Sequence, residues 1–266
     1  MKIVRYLNGA VRRYGVVDGD RVHPLIGSPF GDLRWEDASV PLGQVELLVP
    51  VEPTKVLCVG ANYRTYSLSG GVPTFSMKVP TTWTATGQPV MYPRSSEKVI
   101  MEAELAIVIG SAAKDVDASQ ALAHVLGLTV ANDFTARDLM REDGRPCRAK
   151  NFDGFCPIGP CIETNIDHSD LRIWGRVNGE IVQQGTTRDM IATVPEVVSM
   201  FSEVMTLCPG DVILTATPSP PPYVHPGDVV EAEIQDVGVL RNTIISSEHG
   251  RLQPGEWSSQ AARQEA

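Results

Sequence analysis

Tight-turn dipeptides between short apolar runs are the feature that most constrains the fold of this chain. Asp18-Gly19 and Asn178-Gly179 each lie between strand-forming residues, and both dipeptides are typical of two-residue β-hairpin loops. Pro-Gly-Asp turns at 209–211 and 226–228 separate further short strands in the last third of the chain. Because hairpins join antiparallel neighbours, we predict a β-rich α+β fold with an antiparallel or mixed sheet.

Strands are predicted at KVLCVG (55–60), LAIVIG (105–110), LTVAND (128–133), VILTAT (212–217), VVEAEI (229–234) and VLRNTII (239–245). The continuous apolar run of LAIVIG predicts that this strand is buried. Asp117 and Gln120 resemble a capping box, which predicts a helix that runs to about Leu126 and ends at Gly127. A second helix is predicted to start near Pro195. Residues 61–97 are rich in Thr, Ser, Gly and Pro, so we expect a mainly irregular segment that serves as a lid or binding loop.

The predicted organisation is a small N-terminal β subdomain at 1–50, a metal-binding catalytic domain at 51–250, and a flexible polar tail at 251–266. The net charge of −9 argues against a nucleic-acid partner. The chain has neither an apolar run long enough to span a bilayer nor a secretory signal, so no membrane partner and a cytoplasmic location are expected. Five cysteines without a CxxC motif predict free, mostly buried thiols.

Three carboxylates are the strongest candidates for chemistry. Glu102 and Glu104 are two residues apart, so on a strand they face the same way, and a hard cation would relieve their repulsion. Asp133 ends the apolar LTVAN run, where a buried aspartate also needs a partner. By spacing alone, a Glu-x-Glu pair is more often a solvated strand edge. Lys150 is either a surface lysine or a cation that binds a substrate carboxylate or an enolate oxygen.

Six segments in order resemble the fumarylacetoacetate hydrolase family. They are GANYR (60–64), MEAELAIVIG (101–110), NDFTARD (132–138), AKNFDGFCPIGP (149–160), VNGEIVQQGTTRDMI (177–191) and TLCPGDVILTATP (206–218). No single segment is specific, but six at plausible spacings are. The resemblance implies a mixed β-roll of the family's C-terminal-domain type, usually a homodimer. It also implies a site for Mg²⁺, or for Mn²⁺ or Ca²⁺.

The resemblance also implies roles for individual residues. Glu102, Glu104 and Asp133 correspond to the family's metal ligands. Lys150, Tyr66 and Arg137 are predicted to be catalytic. Residues predicted to contact the substrate are Thr217, Met140, Gln183, Tyr63 and Lys78. Relatives in this family hydrolyse 1,3-diketo acids, decarboxylate oxaloacetate-like acids or tautomerise 2-oxo acids, all through an enolate, so the expected substrate is a small oxo acid or dicarbonyl compound.

The chain departs from the family pattern around the expected lid. Tyr66 and Ser69 stand where family hydrolases have a histidine and a glutamate that activate water. Neither side chain is a natural base at neutral pH, whereas Tyr66 is a possible proton donor or oxyanion partner. Met140 replaces a glutamine, and Ala216 and Pro220 replace glycines. These departures favour a non-hydrolytic outcome, namely tautomerisation, decarboxylation, dehydration or cyclisation. A C–C hydrolase and a non-catalytic binding protein stay open as alternatives.

Overall fold

The computed structural model describes residues 1–65 and 73–246 of the 266-residue chain. The predicted tail at 251–266 lies outside these residues, as do Tyr66 and Ser69. The strands in the described part are β1 (Lys2–Asn8), β2 (Val11–Asp18), β3 (Arg21–Pro24), β4 (Val40–Pro41), β5 (Glu46–Leu47), β6 (Val56–Gly60), β7 (Thr74–Lys78), β8 (Trp83–Thr84), β9 (Val90–Tyr92), β10 (Val99–Ile100), β11 (Ala103–Ile109), β12 (Val125–Asn132), β13 (Thr135–Ala136), β14 (Cys156–Glu163), β15 (Arg172–Val177), β16 (Glu180–Thr186), β17 (Val212–Leu214), β18 (Tyr223–Val224), β19 (Val229–Ile234) and β20 (Gly238–Ser246).

The helices in the same part of the chain are short. They are α1 (Ala118–Ala121), α2 (Arg137–Asp143), α3 (Cys147–Lys150) and α4 (Val194–Val204), with 3-10 turns at Leu42–Gln44, Pro80–Thr82, Leu122–His124 and Thr187–Asp189. No described helix has the length and apolar character needed to cross a bilayer.

The largest sheet has twelve strands, ordered β4-β3-β2-β1-β14-β12-β11-β17-β6-β7, with β5 beside β1 and β8 beside β14. A five-stranded sheet (β16-β15-β19-β20-β9) and a three-stranded sheet (β13-β10-β18) complete the described architecture. Most pairings are antiparallel, while β17 runs parallel to β6 and β9 runs parallel to β20. The predicted β-rich fold with mixed sheets is therefore confirmed.

Strand β11 lies at the centre of the fold, and all seven of its residues are buried. Leu105 and Ile107 belong to the large core that also contains α4, whereas Ala106 and Val108 belong to a second core on the opposite face of the sheet. The continuous apolar run of LAIVIG follows from this, because a strand covered on both faces has no solvent side on which to place polar residues.

The N-terminal strands β1 to β5 extend the twelve-stranded sheet, because β1 pairs antiparallel with β14 through Lys2↔Glu163 and Ile3↔Ile162. The two predicted hairpins are present. The Asp18-Gly19 turn has its strands in the register Asp18↔Arg21, and Asn178 and Gly179 both have positive φ, of 52° and 85°. The division of the chain at residue 50 stays a prediction.

Two expectations for secondary structure are wrong. The helix predicted from Asp117 to Leu126 is a four-residue α1 followed by a 3-10 turn, and Asp117 makes no side-chain capping bond. Gly127 lies within β12, where a Cβ atom would come within 2.4 Å of the Glu163 carbonyl oxygen, so close strand contact explains this glycine. The segment 61–97, expected to be irregular, contains β7, β8 and β9.

The predicted second helix is confirmed as α4. Its start is fixed by a capping box that the sequence reading overlooked, in which Thr193 and Glu196 bond reciprocally and Pro195 occupies the first turn.

Candidate active site

The three predicted carboxylates meet because β11 and β12 are antiparallel neighbours. Ala103 pairs with Asn132, so Glu102 and Asp133, the next residues outward, lie opposite each other. The Asp133 backbone N–H donates to the Glu102 carbonyl oxygen at 2.9 Å, and Asn132 Oδ1 accepts from the Glu102 N–H at 3.0 Å. Carboxylate oxygens of Glu102, Glu104 and Asp133 all lie within 4.8 Å of one another. The structure therefore gathers a cluster of hard oxygen donors at one end of this strand pair.

Two lysines approach the cluster from other elements. Lys150, at the end of α3, donates to Glu102 Oε2 at 3.0 Å and also to Asp133 Oδ2. Lys78, the last residue of β7, is fully buried, and its Nζ lies 2.5 Å from Asp133 Oδ1. The same ammonium group donates to the carbonyl oxygens of Phe134 at 3.1 Å and Phe155 at 2.7 Å. Asp133 is thus held by an ammonium group on each of its carboxylate oxygens.

The pKa values of these groups shift in different directions because the lysines neutralise Asp133 more fully than Glu104. Burial raises the pKa of Glu104 well above its usual value, and the negative charges of Asp133 and Glu102 raise it further. Burial acts in the same direction on Asp133, but Lys150 and Lys78 outweigh it and hold the pKa of Asp133 below its usual value. Burial alone would lower the pKa of Lys150, yet Asp133 and Glu102 raise it well above normal, so its ammonium stays protonated at neutral pH.

The loop after β17 forms the wall beside Glu104. The Ala216 N–H donates to Glu104 Oε2 at 2.7 Å, and this bond requires Ala216 to adopt a left-handed φ of 75°. A non-glycine residue there costs roughly 1–2 kcal/mol. The loop is anchored because Thr215 Oγ1 donates to the Leu105 carbonyl oxygen at 2.9 Å and Asn62 Nδ2 donates to the Thr215 carbonyl oxygen at 3.3 Å.

Thr217, in the same loop, is oriented by Gln183. The Gln183 Nε2 donates to Thr217 Oγ1 at 2.9 Å, and Gln183 is itself fixed because its Oε1 accepts from the Ala103 N–H at 3.1 Å. Since the Thr217 oxygen accepts this bond, its hydroxyl proton is left to donate to another group. Gln183 therefore links β11, next to the carboxylates, to Thr217.

These groups surround one cavity of about 370 Å³, here called the main cavity. Its polar wall contains the three carboxylates, Lys150, Arg137, Thr135 and Thr217, and its apolar wall includes Phe75, Met140 and Pro146. Arg137 and Met140 come from α2, and Arg137 Nη1 lies 4.0 Å from Met140 Sδ. Thr135, which the sequence reading did not single out, donates to Glu102 Oε2 at 3.1 Å.

Three residues predicted to contact substrate are not among those that line the main cavity. Lys78 lies behind Asp133, and Gln183 lies behind Thr217. Tyr63 is fully buried and forms an isolated β-bridge with Met190, and burial raises the pKa of its hydroxyl. Tyr66, predicted to be catalytic, lies outside the described residues. The structure brings together Glu102, Glu104, Asp133, Lys150, Arg137, Met140 and Thr217.

Two family models match this chain. Residues 55–245 match the family model described as fumarylacetoacetate (FAA) hydrolase C-terminal, and residues 1–50 match the model described as Rv2993c-like, N-terminal. The chain belongs to the fumarylacetoacetate hydrolase family. The family match spans every residue that lines the main cavity.

Similar members of this family carry names of different reactions. The human mitochondrial oxaloacetate tautomerase FAHD2A is 40% identical over 77% of this chain and 71% of its own length. The structure of 5-carboxymethyl-2-hydroxymuconate delta-isomerase from Mycobacterium smegmatis covers 93% of this chain and 100% of its own, with 36% identity and a TM-score of 0.88. A fumarylacetoacetate hydrolase from Exiguobacterium antarcticum covers the same shares, with 32% identity and a TM-score of 0.84. The family relationship therefore indicates an enzyme that acts on a small molecule.

Proposed function

We propose that this chain is a divalent-metal-dependent tautomerase that interconverts the keto and enol forms of a small 2-oxo acid. The observation that carries the proposal is a cavity that combines three converging carboxylates with Lys150, Arg137 and Thr217, and whose described lining contains no histidine. Similarity to an oxaloacetate tautomerase and to a delta-isomerase supports a proton-transfer reaction.

The donor set fits a hard divalent cation. Glu102, Glu104 and Asp133 offer only oxygen atoms, which suits Mg²⁺, Mn²⁺ or Ca²⁺, and the buried Glu104 carboxylate has a backbone N–H but no lysine among the described residues as its partner. When bound, such a cation would polarise a substrate carbonyl and acidify the neighbouring carbon, whose proton would pass to solvent water. The three carboxylates would hold it, and the rest of the main cavity would orient the substrate.

The remaining polar groups have complementary proposed roles. Lys150 keeps its proton at Nζ and presents a positive charge beside the carboxylates, where it steadies a substrate oxygen as negative charge develops. Arg137 forms no ion pair with any residue in the described part of the chain, so its guanidinium is available for a substrate carboxylate. Thr217, oriented by Gln183, donates its hydroxyl proton to the same carboxylate or to the oxo group.

A non-hydrolytic outcome is proposed because Tyr66 and Ser69 stand where family hydrolases have the histidine and glutamate that activate water. Hydrolysis needs a side chain that takes a proton from water, and neither the described cavity lining nor residues 66–72, which read YSLSGGV, contains a histidine. That segment also lacks aspartate and glutamate. Tyr66 is proposed as a proton donor within this segment. A C–C hydrolase is the second candidate function, and similarity to a fumarylacetoacetate hydrolase favours it.

Proton exchange tests the proposal directly. In D₂O, the protein loaded with Mg²⁺ should accelerate deuterium uptake at C3 of oxaloacetate, followed by NMR, and EDTA should abolish the effect. Glu102→Ala should lose exchange, whereas Glu180→Gln, an exposed glutamate on β16, should retain it. Exchange that persists in EDTA would contradict a metal-dependent tautomerase, and absence of exchange with every oxo acid tried would favour a binding protein.

Isotope incorporation separates the two enzymatic candidates. A hydrolase in H₂¹⁸O places label in a carboxylate product, whereas a tautomerase leaves both carboxylates of oxaloacetate unlabelled. Replacing Tyr66 with histidine and Ser69 with glutamate should create hydrolysis only if the wild-type lid lacks that chemistry. The homodimer and the cytoplasmic location stay predictions, for which sedimentation and cell fractionation are the measurements.

A further inference from the structure

A second cavity shares Arg137 with the main cavity. It has a volume of about 250 Å³ and is here called the basic cavity, lined by Lys98, Arg137, Asp138, Arg141, Glu142 and Tyr223. Arg137 lines both cavities. Its backbone N–H donates to the Lys98 carbonyl oxygen at 2.7 Å, so the element that carries the shared arginine is tied directly to the basic cavity.

The two acids in the basic cavity already have partners elsewhere. Asp138 accepts from Ser96 Oγ at 2.6 Å and from the Glu97 N–H at 2.7 Å, which holds the preceding loop. Glu142 Oε2 lies 3.2 Å from Arg148 Nη2. By contrast, the side chains of Lys98, Arg137 and Arg141 form no ion pair with any residue between 1 and 65 or between 73 and 246. The basic cavity therefore holds three cations that form no salt bridge, beside two acids that are engaged by other groups.

This arrangement leaves the basic cavity with one more positive than negative side chain, so it attracts an anion. Arg137 and Arg141 are four residues apart on α2, so they project from the same face, and like charges at this spacing repel. The chain as a whole carries a net charge of −9, so a local excess of unpaired cations is not a property of its average surface. Guanidinium groups favour planar oxyanions, which they bind through paired N–H donors.

We propose that the basic cavity is a docking site for a carboxylate-type oxyanion, from which an anionic substrate passes to the main cavity by way of Arg137. The assignment to a substrate rests on the proposed function, whereas anion binding itself does not. Lys98 and Arg141 are the specific determinants, since they line only the basic cavity. An anion held there lies against the same guanidinium that faces the carboxylate cluster.

Two double variants of equal charge test the proposal. Lys98→Met/Arg141→Met removes the determinants, and Arg12→Met/Arg34→Met removes two exposed arginines from residues 1–50, so each protein carries −11 instead of −9. With Mg²⁺-loaded protein and the enol of oxaloacetate, kcat/KM should fall about tenfold in the first variant at low salt, with kcat nearly unchanged. The control should match wild type. At about 1 M NaCl the difference should disappear, because the Debye length is then about 3 Å.

A neutral substrate and a simple anion complete the design. The diethyl ester of oxaloacetate should show no difference between the three proteins, and an equal loss with this ester would overturn the proposal. Calorimetric titration with inorganic sulfate should give at least a fivefold weaker Kd in Lys98→Met/Arg141→Met than in the control. Equal sulfate affinity in all three proteins would also overturn it. If wild type lacks tautomerase activity but the sulfate difference holds, the proposed function fails while the anion site stands.

The single variants Lys98→Met and Arg141→Met guard against a folding defect in the double variant. Each should melt at the wild-type temperature and show an intermediate sulfate affinity. Wild-type affinity in both folded single variants would contradict the proposal.

Discussion

Replacing Glu104 with glutamine should stabilise the metal-free protein and remove its stabilisation by metal. Glu104 is buried beside Glu102 and Asp133, and burial followed by these two charges raises its pKa well above the usual 4.5. Glutamine has nearly the same shape. Its amide oxygen can accept the Ala216 N–H bond that Glu104 Oε2 now accepts at 2.7 Å, and its NH₂ group replaces a repulsive oxygen with a donor.

Two opposing effects set the change in melting temperature: removal of a buried charge stabilises the metal-free protein, and loss of a metal ligand removes the stabilisation by metal. Replacing a buried carboxylate that lacks a full set of partners should raise the free energy of unfolding by about 1–3 kcal/mol. For a chain of this size, each kcal/mol shifts the melting temperature by about 2–4 °C, so the variant should melt about 2–12 °C higher in EDTA. Metal at one hundred times its Kd stabilises wild type by about 2.7 kcal/mol, and a variant that has lost a ligand should gain little. Saturating Mg²⁺ should therefore narrow or reverse the difference in melting temperature between Glu104→Gln and wild type.

The pH dependence provides a second signature of the same group. Below about pH 4.5 the acid is protonated in both the folded and the unfolded wild-type protein. As pH rises from there through the raised folded pKa, the unfolded state ionises first, so wild type loses stability relative to Glu104→Gln. Differential scanning fluorimetry between acidic and neutral pH, with EDTA or with Mg²⁺, measures both effects. A variant that is less stable than wild type in EDTA at neutral pH, or that keeps the full Mg²⁺ shift, would refute this reasoning.

Three further predictions concern other parts of the molecule. Asp211→Asn weakens the buried contacts of Asp211 with Thr54, Lys55 and Cys208, so it should lower the free energy of unfolding, measured in urea, by about 3 kcal/mol. Asp228→Asn, in the second Pro-Gly-Asp turn, should lower it by about 1 kcal/mol. Gln183→Leu should lower kcat/KM about tenfold through misorientation of Thr217 while the Mg²⁺-induced melting shift is kept, and its exposed neighbour Gln184→Leu should leave both unchanged. A thiol reagent should label Cys147 in the native protein, while Cys58, Cys156 and Cys161 should react only after unfolding, since burial raises the pKa of Cys156 to about 12.

Strands were predictable from the sequence where one physical effect dominated. The double burial of β11 forces an unbroken apolar run from Leu105 to Ile109, and the Asn178-Gly179 turn requires two residues with positive φ. The prediction of a helix from Asp117 to Leu126 was wrong because the residues from Val125 onward belong to strand β12. Val125 and Gly127 pair with β11 within the central sheet, and only a glycine fits against the Glu163 carbonyl oxygen.

The sequence predicted the three carboxylates of the site, but it did not predict the contacts that hold them and their neighbours in place. The spacing of Glu102 and Glu104 carries information because a strand has a period of two. Glu104 lies within β11, and Glu102 directly precedes this strand. The position of Lys78 depends on β7, which reaches Asp133 only because β7, β6, β17 and β11 are successive neighbours in the sheet. No local pattern encodes such a contact. The roles of Gln183 and Asn62 likewise depend on loops that meet only after folding.

The distribution of partners among the three carboxylates bears on whether the cluster is structural or functional. Asp133 is neutralised by two lysines, and Glu102 has Lys150 and Thr135, so a purely structural ion-pair network would explain both residues. Glu104 is different, because its partner in the described structure is a single backbone N–H, supplied at the cost of a left-handed alanine. A buried carboxylate with one hydrogen-bond donor and no ion pair destabilises the protein. A neutral glutamine has nearly the same shape and would pack equally well, so packing alone does not explain a glutamate at this position. A hard cation would remove the repulsion and use the free oxygen, so Glu104 is the residue that gives the strongest support to the proposed metal site.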